Sequence, residues 1–177
     1  AVILSGGDPL TLSDERLAEL VQRVAAIPHV RRLRVHTRTP VVLPSRVDEG
    51  FLSWLEGCPL QTVVVLHANH PAEIDDTVTR AARDLARTGV TLLNQAVLLR
   101  GVNDDARVLA ELSERLFQAG VLPYYLHQLD PVQGAAHFEV ADDSARALLA
   151  ELRERLPGYL VPRLVRELRG APSKLPL

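Results

Sequence analysis

Methionine is absent from the 177 residues, and cysteine occurs once, at Cys58. A single cysteine closes no disulfide and builds no Cys-only metal cage, and it suits a reducing, cytoplasmic setting. No apolar run approaches the roughly 18–20 residues of a membrane span, and no secretory signal pattern is visible. There is no dense Lys/Arg run and the formal net charge is -2, so nothing points to nucleic acid or a membrane surface. A Pro/Gly/Ser-rich linker and low-complexity stretches are also missing, which argues for one domain over 1–177. The lack of Met, together with the apolar opening Ala1-Val2-Ile3-Leu4, leads to the expectation of a piece of a longer protein.

What is present reads as a globular chain, 47% hydrophobic and 24% charged. Short β-branched or apolar runs recur at 2–4, 33–36, 62–66, 91–97, 122–127 and 159–165. Their starts lie about 30 residues apart, the length of one strand–helix unit. Helical spacing fills the gaps. Leu17, Leu20, Val21 and Val24 share one face, as do Ile74, Val78, Ala81 and Leu85. Val108, Leu109, Leu112 and Leu116 form another such set, and Leu148, Leu149, Leu152 and Leu156 a fourth. A shorter helix is expected over 47–55. Thr11 and Asp14 have capping-box spacing, with Ser13 as another candidate cap, and Gly89 and Gly120 stand where left-handed C-caps belong. Six strands alternating with five helices imply an α/β fold with a parallel sheet, either open or part of a curved barrel. A closed eight-stranded barrel needs more chain.

Active sites of parallel α/β folds form beyond the carboxyl ends of the strands. Here every strand delivers polar groups to that rim. Ser5-Gly6-Gly7-Asp8 follows the first, His36-Thr37-Arg38 closes the second, and His67, Asn69 and His70 end the third. Asn94 and Gln95 interrupt the fourth, His127, Gln128 and Asp130 follow the fifth, and Glu167 and Lys174 follow the last. Each piece has a plain structural reading. The glycine turn is either a tight turn capped by Asp8 or a cradle whose backbone N–H groups meet an anionic or amino-acid ligand. Asn94 and Gln95 either stitch strands together or face a ligand, since buried amides need partners. Asp130, before Pro131, suits a turn, and Lys174 lies in a loop.

Several blocks read together resemble the lysine 2,3-aminomutase family of radical S-adenosylmethionine enzymes. They are Ser5-Gly6-Gly7-Asp8-Pro9-Leu10, Arg38-Thr39-Pro40-Val41-Val42, Pro44-Ser45-Arg46, the run HANHPAEI from His67, the run LNQAVLLRGVND from Leu93, Pro123-Tyr124-Tyr125 and Gly158-Tyr159 with Val161-Pro162. Tyr125-Leu126-His127, the run VQGAAHF from Val132 and Ala171-Pro172-Ser173-Lys174 resemble the branch that β-lysylates elongation factor P. The resemblance implies a partial (β/α) barrel of parallel strands whose first strand lies upstream of Ala1. It implies three cofactors: S-adenosylmethionine, a [4Fe–4S] cluster whose cysteines are also upstream, and pyridoxal 5'-phosphate. Ser5, Gly6, Gly7 and Asp8 match the segment around the methionine part of S-adenosylmethionine. His67 and Gln95 match positions near its nucleoside. Lys174 matches the lysine that holds pyridoxal phosphate, and Asp130 and Glu167 match the carboxylates that take the substrate's distal ammonium. No metal ligand is implied within these residues. Two departures stand out: free-lysine enzymes carry aspartate at the place of Glu167 and tyrosine at that of His127.

The implied reaction turns (S)-α-lysine into (R)-β-lysine for attachment to elongation factor P by a partner ligase. It breaks an unactivated C–H bond, which no side-chain base can do near pH 7, so cofactors must supply the chemistry. With Cys58 alone, this chain by itself is expected to be inactive. Two rival readings are a metal-dependent α/β lyase or hydrolase built on His67, His70 and Asp130, and a degenerate domain kept for binding a partner.

Overall fold

A computed structural model describes residues 1–168, 170 and 173–177. Among the described residues there are seven strands. They are β1 (Val2–Leu4), β2 (Arg32–Thr37), β3 (Gln61–His67), β4 (Thr91–Val97), β5 (Leu122–His127), β6 (Arg163–Arg166) and β7 (Leu175–Pro176). The helices are α1 (Asp14–Ala25), α2 (Thr39–Val42), α3 (Glu49–Glu56), α4 (Asp76–Arg87), α5 (Ala106–Gln118) and α6 (Asp142–Arg155). No helix among the described residues is long and apolar enough to cross a membrane. The chain divides into two compact units: one of residues 1–67, 75–93 and 119–121, the other of 68–74, 94–118 and 122–177.

In the first unit β1, β2 and β3 pair in parallel, with Leu4 level with Val35 and Val35 level with Val64. Alternation decides which residues turn inward. Leu33 and Val35 of β2 are buried, whereas Arg34 and His36 point to the other face and remain half-buried. Helix α1 starts where the Ser13 hydroxyl accepts the Arg16 N–H, and it buries Leu17 and Val21. Thr11 is no cap for it, because its hydroxyl donates to the Asp8 carbonyl instead. Helix α3 is capped by Asp48 and buries Phe51 and Leu55, and α4 is capped by Asp75. Each such fully buried side chain contributes roughly 1.5–3 kcal/mol. Gly89 and Gly120 take φ of +83° and +84°, the left-handed C-cap geometry expected of them.

In the second unit β5 and β6 pair in parallel and β6 pairs antiparallel with β7. β7 lies outside the six strands expected to be parallel: it returns alongside β6 in the opposite direction. The sixth strand also begins later than expected, at Arg163. Pro157 and Pro162 bracket a 3-10 turn over Gly158–Leu160, closed by Leu160 N–H on the Pro157 carbonyl, which removes those residues from the strand. Helix α5 buries Leu109, Leu112 and Leu116, and α6 buries Ala145, Leu149 and Leu152. Asn94 is buried and closes both of its amide bonds on Ala68, accepting from its N–H at 2.9 Å and donating to its carbonyl at 3.0 Å. Asn94 is therefore a stitch. Gln95, next in the strand, faces the opposite side. Asn103 is fully buried and ties Leu99, Asn69 and Val97 together through their backbones.

Candidate functional site

The first unit places Ser5, Gly6, Gly7 and Asp8 beyond the carboxyl end of β1. Gly6 and Gly7 have φ of +89° and +56°, and a Cβ at either would meet nothing within 4 Å. Backbone conformation, not crowding, is what requires glycine here, and the turn's outer side is open to an approaching group. Asp8 is committed differently. Its Oδ1 accepts from Leu10 N–H at 3.0 Å and from the Thr37 hydroxyl at 2.7 Å. Its Oδ2 accepts from the N–H groups of Arg38 at 2.7 Å and Thr39 at 3.1 Å. Burial is the largest single influence on this carboxyl and opposes its ionisation. The hydrogen bonds from Thr37, Leu10, Arg38 and Thr39 together outweigh it and hold the group below its usual range. Asp8 thus pins the glycine turn to the end of β2.

Two strands away, His67 ends β3. Its ring stands 6.0 Å from that of His36, edge-on at 79°. Arg34 Nη2 lies 3.0 Å from His36 Nε2; because arginine can only donate, Nε2 is the acceptor there. Arg34, His36 and His67 make a polar face on this side of the strands.

The second unit holds a cavity of about 840 Å³. Asp130, Glu139 and Glu167 supply three carboxylates to its lining, and Arg166 one guanidinium. Leu129, Val132 and Leu168 give it apolar walls. Arg166 is held in a two-pronged pair with Asp142, and that hydrogen bonding keeps the Asp142 carboxyl below its ordinary range. Gln128 reinforces the pair from its amide nitrogen, 3.1 Å from Asp142 Oδ1. With Arg166 neutralised by Asp142, the excess charge of the lining is negative. Negative charge between apolar walls suits a cation carried on an alkyl chain.

Lys174 reaches this region through strand register. Arg166 pairs with Leu175 and Val165 with Pro176 across the antiparallel strands, so the next position on each side sets Glu167 opposite Lys174. The Lys174 ammonium is bonded to the Glu167 carboxylate. Nζ also lies 3.4 Å from His127 Nε2 and 5.4 Å from the centre of the Tyr125 ring. Tyr125 and His127 sit on one face of β5, opposite the buried Leu126.

No family model matches the chain. Individual proteins do. L-lysine 2,3-aminomutase of Escherichia coli (strain K12) is 54% identical over 99% of this chain and 52% of its own length. L-lysine 2,3-aminomutase of Haemophilus influenzae is 53% identical over 98% of this chain and 51% of its own. That of Clostridium subterminale is 41% identical over 99% of this chain and 42% of its own. Over nearly its whole length this segment is similar to L-lysine 2,3-aminomutases. It spans about half the length of the curated relatives it matches. Among solved structures, a domain of pyruvate-formate lyase-activating enzyme from Bacteroides vulgatus has a TM-score of 0.62, covering 94% of this chain and 98% of that one at 14% identity. A radical SAM methyltransferase from Sphaerobacter thermophilus has a TM-score of 0.60 over 86% of this chain and 48% of that one, at 20% identity. At such identities the likeness concerns the fold, which is the α/β arrangement of a partial radical SAM barrel.

The expected site residues fall into two sets. The structure brings Ser5, Gly6, Gly7, Asp8 and His67 to the strand ends of the first unit. In the second it brings Asp130 and Glu167 to one cavity and Lys174 to Glu167. Gln95 is also in the second unit, on the strand face opposite Asn94. In the motif ending at Lys174, Ala171 and Pro172 lie outside the described residues. Among the described residues no group of three or more His, Cys, Asp or Glu is arranged to hold a metal ion. His70 caps the turn that follows it, accepting the Ala72 N–H. Sequence reasoning missed Glu139, Arg166 and Asp142. It also passed over a compositional signal: of 20 Lys and Arg residues, Lys174 is the single lysine. Lys174 is thus the one side-chain primary amine in the 177 residues.

Proposed function

We propose that the protein containing this segment is a radical S-adenosylmethionine isomerase that converts (S)-α-lysine to (R)-β-lysine, with residues 1–177 acting as one domain of it. The observation that carries the reading is the shared cavity of Asp130 and Glu167, with the chain's single lysine lying against Glu167. Two carboxylates would take the substrate's distal ammonium in charge-assisted hydrogen bonds, and the apolar walls would take its methylenes. An uncharged side chain of the same length would leave both carboxylates without a cation, and the site would reject it.

The Lys174 amine stands beside a flat aromatic ring, which fits a planar aldehyde cofactor, and Lys174 would hold pyridoxal phosphate covalently. When bound, that group spreads charge or an unpaired electron away from the reacting carbons. Ser5, Gly6 and Gly7 would hold the amino-acid end of S-adenosylmethionine on an open turn that Asp8 keeps in shape, with His67 and Gln95 serving its nucleoside. The residues present do not fit the [4Fe–4S] cluster. Its ligation needs closely spaced cysteines and Cys58 is alone, so the segment by itself would be inactive. The product would pass to elongation factor P through a partner ligase in the cytoplasm.

The test uses the full-length protein reconstituted with its cofactors and supplied with (S)-α-lysine. Asp130→Asn is expected to lower kcat/KM about 100-fold while covalent capture of pyridoxal phosphate persists. Equal turnover by Asp130→Asn, or equal use of an uncharged analogue such as norleucine, would remove the assignment.

A further inference from the structure

We infer that Asp142 is a positioning residue for the cavity of the second unit: it holds both prongs of Arg166 and so keeps that guanidinium from occupying the place of a ligand's ammonium. The inference rests on the reading of this cavity as the substrate's cation site and adds what keeps the site open to substrate.

The need for such a residue follows from the lining. Arg166 lines the same space as Asp130, Glu139 and Glu167. Arginine stays charged near neutral pH, and its fork of donors matches a carboxylate. It is also tethered, so it meets the cavity at an effective concentration of about a millimolar or more. A free amino acid would have to displace it. An arginine in this place therefore requires a counter-charge that does not belong to the lining, and Asp142 supplies it.

Three observations show how. Arg166 Nη1 donates to Asp142 Oδ2 at 2.9 Å and Nη2 donates to Oδ1, so the pair is bidentate. Asp142 is the first residue of α6, where the helix's N-terminal N–H groups favour a carboxylate, and Ala141 before it makes no side-chain cap bond. Gln128 then fixes the carboxylate from the other side. It is buried, and its backbone N–H donates to the Val165 carbonyl at 2.8 Å. Its Nε2 donates to the Val140 carbonyl at 3.2 Å and to Asp142 Oδ1 at 3.1 Å. Turning that amide over would set its oxygen against two acceptors, so its orientation is fixed. The residue just past β5, the last of β6 and the first of α6 thus meet at one carboxylate.

The competing attraction is Glu139, a lining residue whose charge also acts on Arg166. Arg166 therefore lies between a carboxylate outside the lining and one within it. The two-pronged bond decides the contest, because charge-assisted bonds of this kind are about twice as strong as neutral ones and also fix geometry. Without the charge of Asp142, Arg166 turns to the carboxylates of the cavity and substrate must compete with it.

The experiment measures lysine binding by equilibrium dialysis to the full-length protein, reconstituted with its cofactors and kept without reductant. Each side chain of the pair is 34% exposed, so its loss is scaled as a partly exposed ion pair. Asp142→Asn should weaken binding about fivefold, and Asp142→Glu less. Arg166→Gln should bind at least as tightly as the parent, and combined with Asp142→Asn it should restore the parent affinity within about twofold. A merely structural role for Asp142 would leave the double variant as weak as the single one, and that result would overturn the inference, as would unchanged affinity in Asp142→Asn. Arg166→Gln answers even if Asp142→Asn does not fold: an affinity loss of about fivefold there would make Arg166 a contact of the ligand and contradict the inference. A parent protein that binds lysine no more tightly than its Asp130→Asn variant would remove the cation-site reading itself, an outcome distinct from lysine binding that ignores Asp142.

Discussion

Asp8 and Glu167 are both carboxylates that follow a strand, and they serve opposite purposes. Asp8 gives its oxygens to four protein donors, three of them backbone N–H groups, within 3.1 Å. Glu167 meets a lysine on one side and a cavity on the other, with more than half of its side chain exposed at 53%. A carboxylate satisfied by backbone donors cannot leave without breaking the loop it holds. One paired to a side-chain cation can change partner at little cost, because surface ion pairs contribute only about 0–1 kcal/mol. Position at a strand end therefore does not define a role. The donors around the group do.

The sharpest way to break this contrast is to remove both carboxylates in turn and measure stability. Asp8→Ala leaves the backbone N–H groups of Leu10, Arg38 and Thr39 and the buried Thr37 hydroxyl without their acceptor. It should cost about 2–3 kcal/mol in chemical denaturation of the full-length protein. Glu167→Ala should stay within about 0.5 kcal/mol while weakening lysine binding. Comparable losses from both would show that the two sites are built alike.

A smaller effect follows from pH. The folded-state pKa of Asp8 lies below its ordinary value of 3.8, so its contribution is fully present above that value and fades as pH falls through the lower folded-state pKa. The stability gap between the parent and Asp8→Asn should be constant near neutrality and narrow as the pH falls below 3.8. A gap that widens in acid would contradict the hydrogen-bonded picture. The smallest effect is expected of Arg87→Ala. Its partner Asp84 is one turn away on the surface of α4. The change in thermal unfolding should be about 0.3 kcal/mol or less, a baseline against which the Asp8 result is read.

The two regions also differ in how far they could be read in the sequence. Strands at 91–97 and 122–127 fall at their expected bounds because a glycine with positive φ, Gly89 or Gly120, ends the preceding helix just before each of them. The glycine turn was legible through Gly6-Gly7, since few residues tolerate positive φ. That Asp8 holds the turn to β2 was open as one of two readings, because its partners at 37–39 are nearly 30 residues away. Asn94 was readable as a buried amide, but its partner Ala68 depended on tertiary placement. In the second unit the reading stops at the reversal after β6. Two residues of β7 carry no periodicity, so neither the antiparallel pair nor the contact between Glu167 and Lys174 could be inferred from spacing. Arg166 looked like any strand-end arginine until Asp142 was found across from it. The family resemblance supplied the roles of Asp130, Glu167 and Lys174 that local physics left open.

The central claim is that Lys174 anchors an aldehyde cofactor beside a cavity that takes the substrate's ammonium. Borohydride reduction of the full-length protein loaded with pyridoxal phosphate, followed by peptide mapping, tests it most directly. Stoichiometric label on Lys174, lost in Lys174→Ala, is the expected result. Label on a lysine elsewhere in the protein, or none at all on a preparation that still makes β-lysine, would contradict the account.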